Sequence, residues 1–169
     1  MTTQTALKAE IADDLARTNL TSQIATAITA AITFYRDQHL YFSETRASIF
    51  ATVASTSRYT SANDTDIPLY LDFEAAFIVD SGSQAYRLSW MLPAYMELAL
   101  DASASEGRPH SYSYFNNSVW LYPIPDAVYT FRPIATVKVA APATDGEANN
   151  SWMTDGYALI KARAEYLLA

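Results

Sequence analysis

Cysteine is absent from the sequence, so disulfides and thiolate metal sites are excluded. Glycine is scarce. Gly82, Gly107, Gly146 and Gly156 stand too far apart to form a phosphate-cradling loop or a dinucleotide fingerprint. His39 and His110 are the only histidines, with no His-x-x-His or Glu-x-x-His spacing to hold zinc. No cofactor motif remains after these absences. Cations are few and scattered singly, whereas sequence-independent binding of nucleic acid needs them clustered. No apolar run approaches the roughly 20 residues that cross a bilayer. The start, Met1-Thr-Thr-Gln-Thr, lacks the basic and apolar regions of a signal peptide. A soluble, reducing compartment is the expectation.

What is present is apolar and aromatic. Half of the 169 residues are hydrophobic and 13% are aromatic, including 12 tyrosines. One compact domain with a real core is expected from such a composition. Tyrosine combines an apolar body with a polar tip, so it serves sheets and wet interfaces alike. Net charge is −7, and Asp64, Asp66, Asp72, Glu74 and Asp80 follow one another without an intervening base. These five are the candidate acidic surface.

Periodicity divides the chain. Leu7, Ile11 and Leu15 recur every four residues, then Ile24, Ile28 and Ile32 do so again with Ala27 and Ala31 beside them. Each set is the stripe of an amphipathic helix. Thr18 to Leu20 separates the two helices, and Thr21 or Ser22 is the expected cap of the second. Residues 1–42 therefore read as a helical hairpin.

From Leu69 the period becomes two: Leu69, Leu71, Phe73, Ala75, Phe77 and Val79 alternate with mostly polar neighbours, the pattern of a half-buried strand. Asp80-Ser-Gly-Ser83 supplies a turn in which Gly82 can take positive φ, and Gln84 to Trp90 returns. Ile49 to Ala54 is expected to form an earlier strand. A short helix is expected near 92–100, with Pro93 in its first turn. Two aromatic strands then flank an Asn-Asn-Ser turn. A strand over Val128 to Val139 contains Pro133, which argues for an edge or a bulge. Finally Thr154 is the expected cap of a helix over Asp155 to Leu168. The predicted class is α+β: an N-terminal helical hairpin and a C-terminal helix (151–169) packed as a small bundle, with an antiparallel sheet or sandwich (43–140) inserted between them.

The segment from Gly107 to Asp126, ending Leu-Tyr-Pro-Ile-Pro-Asp, resembles one in the head-to-tail adaptor proteins of tailed phages. Further pieces match in order: Phe50 to Tyr59, Tyr86-Arg-Leu followed by Tyr95-Met-Glu-Leu98, and Asn150 to Asp155 followed by Leu159-Ile160. Arg132-Pro133 departs from the pattern, lying where the family runs an uninterrupted strand. Many members also carry a further C-terminal segment that engages the portal, whereas this sequence ends at Ala169.

The resemblance implies a structural protein without an active site or cofactor. It implies a homo-oligomeric ring, usually of twelve copies, beneath the portal at the capsid–tail junction. Its partners would be copies of itself, the portal, and a tail or nozzle protein. DNA would pass through the channel unbound, and an acidic wall suits that passage because it does not hold phosphates. The compartment implied is the virion, assembled in the host cytoplasm.

Chemistry has few candidates. Asp13 and Asp14 are adjacent on a helix, about 100° apart, and cannot converge on one bond. Asp72 and Glu74 share a strand but lack a histidine or a glycine-rich turn nearby. No serine sits in Gly-x-Ser-x-Gly. The C-terminal helix offers more. Its apolar arc is wider than one buried face needs, which makes Tyr157, Ile160, Arg163, Tyr166 and Leu167 the candidate interface. Two alternative readings accompany the adaptor. One is a carbohydrate-binding β-domain whose Tyr112, Tyr114, Trp120 and Tyr122 stack on sugars; the other is a tail terminator or neck protein. Buried rings would favour the adaptor, and rings exposed along one strand face the glycan binder.

Overall fold

The computed structural model of the chain describes residues 3–16, 19–47, 50–60, 67–102 and 105–169. In chain order the helices are α1 (Gln4–Asp14), α2 (Thr21–Tyr35), α3 (Pro93–Ala102), α4 (Ser151–Thr154) and α5 (Tyr157–Leu168). The strands are β1 (Glu44–Thr45), β2 (Phe50–Ala51), β3 (Arg58–Thr60), β4 (Tyr70–Val79), β5 (Ala85–Trp90), β6 (Glu106–Gly107), β7 (Ser111–Phe115), β8 (Ser118–Tyr122), β9 (Ile124–Pro125) and β10 (Thr130–Val137). Contacts divide the chain into two compact units, Met1–Ser43 with Lys138–Ala169, and Glu44–Val137. Several expectations (Thr18 and Ile49, with Asp64 and Asp66) fall outside the described residues.

In the first unit the apolar stripes are the buried faces. Leu7 and Ile11 of α1 meet Ile24, Ala27, Ile28, Ala31 and Ile32 of α2, together with Trp152, Met153, Ile160 and Ala164. Thr3 caps α1, its hydroxyl accepting from the Ala6 N–H. The start of α2 has no side-chain cap; Leu20 occupies that position, so neither Thr21 nor Ser22 has the expected role.

The C-terminal helix is also corrected. It is broken into α4 and α5 at Gly156. Gly156, not Thr154, stands at the cap position of α5, with no side-chain cap bond, and Asn150 caps α4 by accepting from the Trp152 N–H at 3.1 Å. Glycine at this break has a packing cause. A Cβ on Gly156 would lie 3.0 Å from Trp152 Cε3, 3.2 Å from Phe42 Cζ and 3.2 Å from the Trp152 carbonyl oxygen. Two rings and a backbone atom bound the site, so little can yield. Gly156→Ala is expected to cost about 1–3 kcal/mol through overpacking, read as a lowered urea midpoint at unchanged slope.

The second unit is an eight-stranded sheet in the order β1-β10-β4-β5-β7-β8-β3, with β2 also paired to β10. A separate two-stranded sheet joins β6 and β9. Between β5 and β7 the pairing is parallel, Ser89 opposite Ser111 and Trp90 opposite Tyr112. Parallel neighbours need a crossover, and α3 lies in that connection. Its Met96 is fully buried. Between β7 and β8 only Asn116 and Asn117 turn the chain, at φ 50° and 56°. Asparagine tolerates this left-handed pair, which suits the twist of a two-residue hairpin.

The predicted class is overturned by this arrangement. The chain is a mixed α and β protein dominated by its eight-stranded sheet, not a small bundle with an antiparallel sheet inserted. Its helices are scattered along the sequence, one of them within the strand region, and α2 packs chiefly against α5 rather than pairing with α1 as a hairpin. Periodicity reveals that a helix has a buried stripe but not which element covers it. It also carries no sign of a parallel step.

The long strand β4 departs from simple alternation. Opposite it, β10 alternates strictly: Phe131, Pro133, Ala135 and Val137 face Ile78, Ala76, Phe73 and Tyr70. The intervals on β4 are two, three and three residues, because Glu74 and Leu71 bulge out of register. Each bulge shifts the strand's faces by one residue. The core receives Tyr70, Ala76 and Ile78, while Leu69 and Leu71 are exposed, which corrects the expected apolar face. Pro133 sits between the stretches of β10 paired to β2 and to β1, one residue ahead of Ile134 and the first register shift, where its missing N–H costs least. In the turn between β4 and β5 the left-handed residue is Ser83, at φ 64°, and not Gly82.

Candidate functional site

The C-terminal candidates do not form one surface. Ile160 is fully buried in the helical core and contributes no outward area. Tyr157 is half-buried, and burial, followed by the nearby Glu10 carboxylate, pushes its phenol up to about 12. Tyr166 and Leu167 are exposed. Arg163 lies between the inner and outer positions. Its guanidinium stands 4.1 Å from the centre of the Phe34 ring and 5.5 Å from that of Tyr166. Thus Phe34, Arg163, Tyr166 and Leu167 make one outward patch along α2 and α5, held by cation–π contacts.

On α5, Lys161 ties the helix to α1 through Asp14 at 2.7 Å and Glu10 at 3.2 Å. Its bond with Lys161 holds Asp14 below the usual carboxylate range, and the same contacts raise Lys161. Burial raises the neighbouring Glu165. These charges answer one another within the unit, so their role is to fasten α1 to α5.

Sequence reasoning missed the flank of α2 beside that patch. Ala25, Thr26, Thr29, Ala30, Thr33 and Phe34 line a shallow trough of about 670 Å³. Three hydroxyls turn inward: Thr26 donates to the Ser22 carbonyl at 3.0 Å, Thr29 to Ala25 at 3.0 Å and Thr33 to Thr29 at 2.8 Å. With its donor satisfied by the backbone, each threonine leaves a methyl group outward. The signal was available in the sequence, because no charged residue occurs from Thr21 to Tyr35. An exposed helix face normally carries charge.

The acidic candidates separate as well. Asp72 and Glu74 are exposed, the first accepting from the Phe73 N–H at 2.9 Å. Glu74 lines a recess of about 350 Å³ together with Arg87, Trp90 and Tyr112. Asp80 instead organises its turn, accepting from the Gln84 N–H at 2.9 Å and from the Tyr86 hydroxyl at 3.3 Å.

The aromatic strands offer no stacking platform. Tyr112 and Trp120 are buried, while Tyr114 and Tyr122 are half-buried. Arg58 lies over the Trp120 ring at 4.3 Å and pairs with Glu97 at 2.8 Å. Tyr114 donates its hydroxyl to Asn117 and accepts from the Tyr70 N–H. The Leu-Tyr-Pro-Ile-Pro-Asp segment is similarly structural: the Pro125 carbonyl accepts from the Ser55 N–H, and Asp126 accepts from the Tyr129 hydroxyl. That bond pushes the Tyr129 phenol up to about 12.

Outward apolar area occurs on α3 too. Leu92, just before the helix, and then Tyr95 and Leu98 follow every third residue, and all are exposed. Among the described residues no cluster of three or more His, Asp or Glu could hold a metal ion, and no helix is long and apolar enough to cross a membrane. The family model described as SU10 adaptor protein matches residues 2–169. None of the curated proteins matches the chain.

Proposed function

The chain belongs to the SU10 adaptor protein family, and from that premise we propose that it is the head-to-tail adaptor of a tailed phage. In this reading it is a structural virion protein that forms a ring beneath the portal, extends the DNA channel and presents the surface to which a tail or nozzle protein attaches. Match to the family over nearly the whole chain carries the proposal. Exposed apolar side chains on α2, α3 and α5 support it, since such groups mark surfaces that meet a partner. Exposed Asp72 and Glu74, on a subunit of net charge −7, supply acidic wall past which phosphates slide. The glycan-binding alternative is disfavoured, because Tyr112 and Trp120 are spent on the core of the sheet.

Assembly is tested by mixing the purified protein with the portal of the phage that encodes it. Negative-stain images are expected to show an added ring on the portal's tail-facing side. A protein that stays monomeric and leaves the portal bare would overturn the reading.

A further inference from the structure

We propose that adjacent subunits join by seating the outer stripe of α3 in the α2 trough of the next copy. This rests on the adaptor reading and adds to it the residues that close the ring. The trough is uncharged, floored by Ala25 and Ala30 and by the methyl groups of Thr26, Thr29 and Thr33. It is a shallow, open face of one helix, lined by small side chains and by Phe34. The stripe is its counterpart, with Leu92, Tyr95 and Leu98 standing out at 49%, 63% and 65% exposure. Large residues entering a row of small ones is how helices approach closely and exclude water.

Charge completes the match and sets its direction. At the Phe34 end of the trough the Arg163 guanidinium meets only two rings and has no carboxylate within ion-pair range among the described residues. Asp101, exposed one turn beyond Leu98, likewise has no cation among them. Running α3 parallel to α2 places Asp101 at Arg163. Both halves of the fit are on one chain, and they are different patches. Such a heterologous contact repeats from copy to copy and closes into a ring when the rotation allows. A foreign partner would account for one patch and leave the other bare.

The test uses full-length Ala30→Glu and Leu98→Glu, each placing a charge on one side of the contact while leaving the other intact. With portal present, wild type is expected to form rings and each variant alone to remain monomeric by mass photometry. Thermal midpoints should stay near wild type, since both positions are exposed. Mixed in equal amounts, the variants should form one-to-one pairs that do not grow, because only one sound stripe and one sound trough remain. Thr33→Glu and Tyr95→Glu serve in the same way should either first choice unfold. Rings from either variant alone, or a mixture that stays monomeric, would refute this contact while wild-type rings leave the adaptor reading standing. Absence of wild-type rings would defeat both. Asp101→Arg should weaken the contact about tenfold or more, and adding Arg163→Asp should recover it.

Discussion

Ile160→Asp is expected to unfold the helical unit, not merely to detach it from a partner. The side chain is fully buried among Leu7, Ile28, Trp152 and other members of one apolar cluster. A carboxylate there has no cation of its own and cannot reach water, and an unpaired buried charge costs about 3–5 kcal/mol. That is a large share of the roughly 5–15 kcal/mol that holds a domain together. Urea denaturation followed by circular dichroism should show a collapsed midpoint and lost helical signal. Leu167→Asp is the control. Its side chain is exposed, so stability should move by no more than about 0.5 kcal/mol. Equal behaviour of the two variants would contradict the burial described above, and the contrast separates folding defects from assembly defects on one helix.

In the sheet unit, Phe131→Ala should have a comparable effect. Phe131 is fully buried at one end of a stacked series, its ring 5.0 Å from Phe50, which in turn stands 4.7 Å from Tyr59. Removing that end forfeits both its burial and the stacking of Phe50. A loss of about 3–5 kcal/mol is expected, measured as a drop in urea midpoint. The Tyr59 hydroxyl extends the consequence to a loop, since it donates to the Thr56 carbonyl at 2.6 Å and accepts from the Val53 N–H at 3.1 Å. Amide exchange at Val53 should accordingly quicken in the variant. Unchanged exchange there would show that the loop does not depend on the stack.

What the sequence discloses about this molecule follows from which signals are local. The stripes Leu7-Ile11 and Ile24-Ile28-Ile32 mark buried helix faces because a helix repeats within four residues. Asn116-Asn117 marks a hairpin because the turn's dihedral demands fall on those two residues alone. Non-local choices leave little trace. Nothing in Ala85 to Trp90 says that its second neighbour is parallel, and nothing in Tyr70 to Val79 announces bulges, which depend on the spacing of β10. The capping misread has the same origin: Thr154 is a competent cap, but α5 starts after Gly156, where Trp152 and Phe42 leave little room for a Cβ, and it has no side-chain cap. Charge offered a cue that hydrophobic periodicity concealed. Reading α2 for its buried isoleucines draws attention from the opposite flank, where the absence of any ionic residue is the informative fact.

The two bulges on β4 are the places where its length can change. Because one at Glu74 puts the strand out of phase and another at Leu71 restores it, Tyr70 points the same way as Ile78 although an extra residue intervenes twice. Deleting the extra residue at either place would leave Tyr70 opposite Val137 and keep the bond that its N–H donates to the Tyr114 hydroxyl, because pairing with β10 sets the face. A change of one residue in length should therefore be tolerated at Glu74 or Leu71 singly, and a homologue one residue shorter there would be expected to run this strand straight at that point.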